Sequence, residues 1–175
     1  LKPSPVKMDI QVSSDDGRVE DVVEALENFH PLARRFIGAK GRLHGMVHLT
    51  GVKKTLTTTV DATATDGVLF GQHYQRVRIR GKYARRQRYE LDEVVANLGT
   101  GSRLLVRGYA VDDGPLGLSL SARNVPVKTL QPLAHLPISG KLSGDLVVGG
   151  TWGHPKASGG ASLLAGGWHL SLIHI

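Results

Sequence analysis

Apolar and polar residues alternate along much of the chain, and the alternation is clearest in the stretch 138–164. Apolar side chains and glycine occupy every second position of 141–148, which predicts a strand with one apolar and one mostly polar face. We expect Gly149-Gly150 to interrupt this strand. Pro155 has no N–H to donate, so its turn is expected off the sheet or at its edge, with Gly159 opening the next strand.

The same pattern occurs earlier in the chain. Residues 41–51 align with residues 140–150 at an offset of 99 residues from Gly41 to Gly140. The alignment places glycine on glycine and leucine on leucine near the start of each segment. We interpret the two segments as the openings of an internal repeat, and a repeat is typical of elongated, repetitive architectures.

The N-terminal part predicts a short strand at 6–12, followed by an amphipathic helix at about 18–28. Residues 13–17, with the sequence SSDDG, are expected to form a turn and to cap the start of that helix. A second, shorter helix broken by prolines is expected within 125–140, before the second repeat strand.

The middle of the chain predicts a meander of short strands separated by turns. The turns are expected at Asp66-Gly67, 71–75, 84–86, 99–102 and 112–114, and a β-bulge is expected near Val94-Val95. The absence of a βαβ rhythm indicates antiparallel pairing. The predicted fold class is therefore all-β, mainly antiparallel, with one or two short helices.

Composition narrows the chemistry. The chain has 175 residues, no cysteine, 22 glycines and a net charge of +7. Without cysteine there are no disulfides, thiolate nucleophiles or Cys-type zinc sites. The basic charge is compatible with an anionic partner or with solubility alone. Residues 171–175, SLIHI, resemble a translated adapter, and we interpret 169–175 as a non-native or truncated end.

No residue pattern predicts catalysis, a metal or a cofactor. His44 and His48 lie on the same side of a strand, but four strand residues span about 13 Å, too far for one metal ion. The carboxylates at 90, 92 and 93 are divided between two faces of a strand. The motifs GxSxG, HExxH and the phosphate-binding glycine loop are absent from the sequence. An enzyme is the class that the sequence favours least.

A run of cationic residues is the sharpest electrostatic feature. Its members are Arg76, Arg78, Arg80, Lys82, Arg85, Arg86 and Arg88. They predict a basic outer face. Such a face either guards a solvated strand against edge pairing or attracts an anionic membrane. Few aromatic residues are nearby for base stacking, so nucleic acid is not expected as a partner.

The repeat and its surroundings resemble a known family. The spacing of Leu142, Gly144, Gly149-Gly150, Pro155 and Gly159 is similar to the repeats of the AsmA-like family, which includes the inner-membrane subunit of the translocation and assembly module (TamB). The segment 104–133 carries a similar strand, DDG turn, strand and N-V-P-V-x-x-L pattern. The resemblance covers most of residues 1–168, as an internal segment without the terminal domain or anchor.

The resemblance implies a curved β-groove that spans the periplasm and is anchored in the inner membrane by a segment outside this sequence. It implies transport of phospholipid to the outer membrane and a partner barrel of the TamA type. An apolar inner face would then hold acyl chains. The expected lining residues are Leu43, Val47, Leu49, Leu56, Val60, Val77, Ile79, Leu104, Val106, Leu118, Leu142, Leu146 and Val148.

Three alternatives stay open at the level of sequence. The apolar strand faces are also compatible with a closed sandwich. The same strands are compatible with a scaffold that assists outer-membrane protein assembly by edge addition to a client. A third possibility is a β-solenoid passenger of a secreted surface protein.

Overall fold

A computed structural model describes most of the chain, and the described residues are 7–27, 33–52, 55–69, 71–84, 88–127, 139–165 and 168–173. The strands are β1 Lys7–Arg18, β2 Lys40–Val52, β3 Thr57–Leu69, β4 Gln72–Ala84, β5 Arg88–Asn97, β6 Arg103–Val111, β7 Leu116–Pro126, β8 Lys141–Gly150, β9 Pro155–Ala165 and β10 Trp168–Ile173. One helix, α1 Val19–Glu27, and a 3-10 turn, Ala33–Phe36, lie between β1 and β2.

The ten strands form one open sheet in which the spatial order is the order along the chain. Every neighbouring pair is antiparallel. The predicted fold class, an all-β antiparallel groove with a short helix, is confirmed. Apart from the longer connections after β1 and β7, the turns between consecutive strands are short. Consecutive strands therefore pair, because each alternating strand can satisfy its backbone only beside another strand.

The helix lies at one end of the sheet and contacts β1 and β2. Its first turn carries Glu20, whose carboxylate accepts a hydrogen bond from the Gly41 backbone N–H at 3.3 Å. The predicted helix is therefore confirmed, and it is fastened to the start of the first repeat strand. The second helix, expected within 125–140, falls mostly outside the described residues.

The expected turn and helix cap at 13–17 is wrong. β1 continues through this segment to Arg18, and its pairing with β2 shifts register between Ser14 and Gly17. A β-bulge absorbs the extra residues, so the acidic pair that looked like a helix cap belongs to the strand. The helix begins only at Val19.

The expected turn at Asp66-Gly67 is also wrong, because β3 runs on to Leu69. Asp66 has a φ of 51°, and the β2–β3 register shifts beside it, between Lys40 and Arg42. The strand therefore kinks without ending. The following strand also begins earlier than expected, at Gln72.

Two further boundaries differ from the prediction. Gly149-Gly150 stays within β8, where these residues pair with Lys156 and Pro155, so Gly159 lies inside β9. Pro155 is tolerated because it is the first residue of its strand. The expected bulge in β5 exists, but the register shifts place it at residues 92–93.

The two repeat openings adopt matching positions in β2 and β8. Gly45 lies opposite Ala62, and Gly144 lies opposite Ala161. In both cases a Cβ on the glycine would approach the partner alanine Cα to 2.6 Å. The similarity therefore extends from the repeated strand into the strand that follows it.

Candidate functional site

One face of the sheet is apolar across its whole width, and we call it the apolar face. Paired residues of neighbouring strands point to the same side, so the register defines rows of side chains that cross the strands. One row is Val12, Val47, Val60, Gly81, Leu91, Gly108, Leu118, Val148 and Ala157. It contains no polar side chain.

Two parallel rows extend the same surface. The second row is Gly17, Leu43, Ala64, Val77, Ala96, Leu104, Ala122, Gly144 and Ala161. The third row is Ser14, Gly45, Ala62, Ile79, Val94, Val106, Leu120, Leu146 and Gly159. Ser14, in the edge strand, is the single polar residue of these two rows.

The register brings together nearly all the residues expected to line a groove. All thirteen except Leu56 lie in described strands on the apolar face; Leu56 precedes β3. The alternation of the sequence did not place Leu91 and Val94 on this surface. The bulge between them breaks the parity from which such positions are read, so simple alternation cannot place them.

The apolar face is sheltered by its own side chains. Val77, Ala96 and Tyr74 form a small buried cluster, packed against Ala64 and Leu104. Most other members are half-buried, and Ile79 is 41% exposed. Within the described part of the chain, the substantial contacts between strands join sequence neighbours, and the substantial contacts of α1 are with the first two strands and the 3-10 turn. No described element forms a second layer across the rows.

Glycines bring neighbouring backbones close together on this face. A Cβ on Gly108, whose φ is 128°, would lie 2.0 Å from the Gly117 carbonyl oxygen, and a Cβ on Gly81 would lie 2.4 Å from the Glu90 carbonyl oxygen. Any larger residue would push the strands apart. These glycines therefore leave shallow places among the valine and leucine side chains.

The opposite face, which we call the polar face, carries most of the predicted basic residues. Arg76, Arg78, Arg80, Lys82 and Arg88 are exposed there, whereas Arg85 and Arg86 lie outside the described residues. Arg88 stacks 4.5 Å above the ring of Tyr109.

Acidic partners neutralise part of the basic charge. Arg78 pairs with Asp61 at 3.3 Å, and Arg107 pairs with Glu93 at 2.8 Å. The hydrogen bond from Arg107 lowers the pKa of Glu93 below its ordinary value.

The two histidines considered for a metal contact carboxylates across the first hairpin instead. His44 Nδ1 lies 3.3 Å from Asp15, and His48 Nε2 lies 2.7 Å from Asp9. The sequence did not indicate these pairs, because the acids belong to β1 and only the register places them opposite β2. Within the described ranges, no group of three His, Asp or Glu side chains is placed to hold a metal ion.

Burial raises the pKa of two tyrosines. The Tyr74 hydroxyl donates a hydrogen bond to the Lys40 carbonyl oxygen at 2.8 Å, and desolvation is the main cause of its raised pKa. Tyr89 also has a raised pKa, first from desolvation and then from the nearby Asp112. Both hydroxyls stay protonated at neutral pH, so they act as hydrogen-bond donors.

Comparison with known proteins finds no matching family model, no similar curated protein and no similar solved structure. No helix among the described residues is long and apolar enough to cross a bilayer. The features of the described residues that bear on function are therefore the apolar face and the polar face of the sheet.

Proposed function

We propose that this chain is a segment of a bridge-like protein that conducts phospholipid along its apolar face, through the periplasm, between the inner and outer membranes. The observation that carries the proposal is the unbroken set of apolar rows, which no described element covers. The resemblance of the repeats to the AsmA-like family supports the same function. The inner-membrane anchor and a partner barrel of the TamA type belong to the proposal and would lie outside this sequence.

The chemistry of the apolar face suits acyl chains. Each CH₂ transferred from water to an apolar surface contributes roughly 0.8 kcal/mol. The rows run perpendicular to the strands, so a chain laid along one row crosses from strand to strand at intervals of about 4.8 Å. Because the side chains are uniformly apolar, no position along the row would hold a lipid much more tightly than the next.

Native mass spectrometry of the purified chain tests the proposal. We expect phospholipid to copurify with the wild-type chain and to be lost from Val106→Asp. The matched control is Val147→Asp, which introduces the same charge on the polar face, where Val147 is 57% exposed. Circular dichroism establishes that both variants keep the sheet.

A second readout tests the same contact without placing a charge on the apolar face. A photoreactive benzophenone side chain at position 106 should crosslink to phospholipid, whereas one at position 147 should not. Wild-type protein free of lipid, or equal crosslinking from both positions, would contradict lipid carriage.

The edge strand β1 favours a second candidate function, a scaffold for outer-membrane protein assembly. Among the described strands, β1 pairs only with β2, and its side chains Ile10 and Val12 are 45% and 59% exposed. An exposed apolar edge can accept a client strand by edge addition. Under this function Val12→Lys should abolish capture of a strand-forming outer-membrane peptide, whereas Val106→Asp, in β6 and away from the edge, should leave that capture unchanged. Unchanged capture by Val12→Lys would contradict it.

A further inference from the structure

A row of arginines crosses the polar face, and only the register reveals it. From β1 to β7 the successive partners are Arg18, Arg42, Thr65, Arg76, Asn97, Arg103 and Arg123. All five arginines are exposed, and no acidic residue interrupts the row. We propose that this arginine row binds an extended acidic polysaccharide laid across the strands.

Without a bound ligand, the arginine row destabilises the folded sheet. Arg18 lies directly opposite Arg42, and Arg103 lies directly opposite Arg123. Like charges at paired positions destabilise a sheet. A bound anion would neutralise these charges and relieve the repulsion. Binding an anion would therefore stabilise the folded sheet.

The positive charge in the middle of the row is the least neutralised. Arg76 and Arg103 have no ion-pair partner in the described part of the chain, and Arg42 reaches Asp66 only at 3.9 Å. At the two ends, Arg18 pairs with Glu20 at 2.9 Å and Arg123 with Asp145 at 3.1 Å. The residues available to an incoming anion are therefore the central arginines.

The shape of the charge favours a chain-like ligand over a membrane surface. The row spans six strand spacings, about 29 Å. In the adjacent row, Arg78 is already paired with Asp61. In the rows beyond it, Arg107 is paired with Glu93, Arg80 lies opposite Asp61 and Glu93, and Lys82 lies opposite Glu90. Positive charge with no acid at the paired positions is thus concentrated along a line, whereas a bilayer surface is matched by charge spread over a plane.

The row also lacks the features that bind nucleic acid. It contains no Phe, Tyr or Trp on which a base could stack, and neither does the adjacent row that runs from His44 through Arg78 to Ser121. Thr65 and Asn97 instead place a hydroxyl and an amide between arginines, and both can hydrogen-bond sugar hydroxyls.

The spacing indicates the kind of polysaccharide. Arg42, Arg76 and Arg103 occur on every second strand, which separates them by about 9.6 Å. Uncharged residues occupy the strands between. This alternation fits a polymer with a carboxylate on every second sugar, each carboxylate accepting two hydrogen bonds from a guanidinium.

The surface near β2 to β4 provides a place for such a polymer to lie. A shallow depression of about 490 Å³ there is lined by Arg42, Arg76 and Arg78, with Thr63 and Thr65 between them and Asp15 and Asp16 at its side. The acids would repel an anion placed directly beside β1. We therefore expect the tightest contacts from Arg42 toward Arg103.

Isothermal titration calorimetry with hyaluronan oligosaccharides, which carry a carboxylate on alternate sugars, tests the proposal. In R76Q/R103Q, the loss of two charge-assisted contacts should weaken binding by at least about tenfold. The matched control is R80Q/K82Q, which removes the same net charge from exposed positions of the same face but outside the row. Its affinity should stay within about threefold of wild type.

Three outcomes would overturn the proposal: no binding of hyaluronan by the wild-type chain, equal weakening by both double variants, or equally tight row-dependent binding of poly-dT or phosphatidylglycerol vesicles. The proposal does not depend on lipid carriage, because the arginine row and the apolar rows lie on opposite faces and neither pair of substitutions touches the apolar face.

Discussion

The two faces of the sheet are built from the same strands but are held by different forces. On the apolar face, rows of valine, leucine, alanine and glycine pack edge to edge, and Ala110 and Ala122 are only 6% and 7% exposed. On the polar face, exposed arginines meet scattered carboxylates at distances such as 3.3 Å for Arg78–Asp61. The sheet therefore derives its stability mainly from the apolar face. Substitutions on the polar face should affect stability less.

The largest difference is expected at glycines. Gly108→Ala should cost roughly 2–4 kcal/mol of unfolding free energy, because its φ of 128° is unfavourable for alanine and its Cβ would collide with the Gly117 carbonyl. Gly160→Ala on the polar face should stay within about 0.5 kcal/mol, since nothing lies within 4 Å of its Cβ. Urea unfolding measures both, and equal losses would contradict the asymmetry.

A charge placed on each face gives the next largest contrast. Val106→Asp should destabilise the chain by about 2 kcal/mol, because the carboxylate would be half-buried among apolar side chains with no partner. Val147→Asp should change stability by less than about 0.5 kcal/mol, because Val147 is mostly exposed. Thermal unfolding followed by circular dichroism compares them. If Val147→Asp proves the more damaging, the assignment of faces is wrong.

A tyrosine on each face extends the comparison to hydrogen bonds. Tyr74→Phe should cost about 1 kcal/mol, because it leaves the Lys40 carbonyl without its hydroxyl donor beside a buried ring. Tyr109→Phe should be nearly neutral, since the contact that its ring makes with Arg88 survives in phenylalanine. Urea midpoints distinguish the two variants, and a neutral Tyr74→Phe would show that the bond contributes little.

Protonation of carboxylates on the polar face at acid pH should give the smallest loss of stability. The pKa of Glu93 is lowered mainly by the hydrogen bond from Arg107, and that of Asp145 by hydrogen bonds from Ser121 and then Arg123. A lowered folded-state pKa means that the stabilisation is present above the ordinary values of 4.5 and 3.8. This stabilisation is lost as pH falls through the lowered pKa values of the two carboxyl groups in the folded state.

Unfolding of the wild-type chain and Glu93→Gln between pH 7 and pH 3 checks this effect. The wild-type chain should lose more stability than the variant over that range, because the variant has no carboxylate to protonate at this position. An identical pH dependence in both would contradict a contribution from Glu93.

The sequence by itself determined the local features. Period-2 alternation determined which residues share a face within each strand segment that has no bulge, since adjacent side chains in a strand point to opposite sides. The spacing of Val19, Val22 and Val23 determined the helix. The turns at 99–102 and 112–114 were predictable because their glycines and Asp113 tolerate positive φ, which the structure shows at Gly99, Gly101 and Asp113.

Only the tertiary structure decided the register, and with it both surfaces. The bulge at 15–16 left no clear local signal. The sequence indicated a bulge in β5 but not its position at 92–93, because the place of an extra residue depends on how the partner strand pairs. The same holds for the pairs His44–Asp15 and His48–Asp9, and for the arginine row. Their members are far apart along the chain, and pairing between strands is what aligns them.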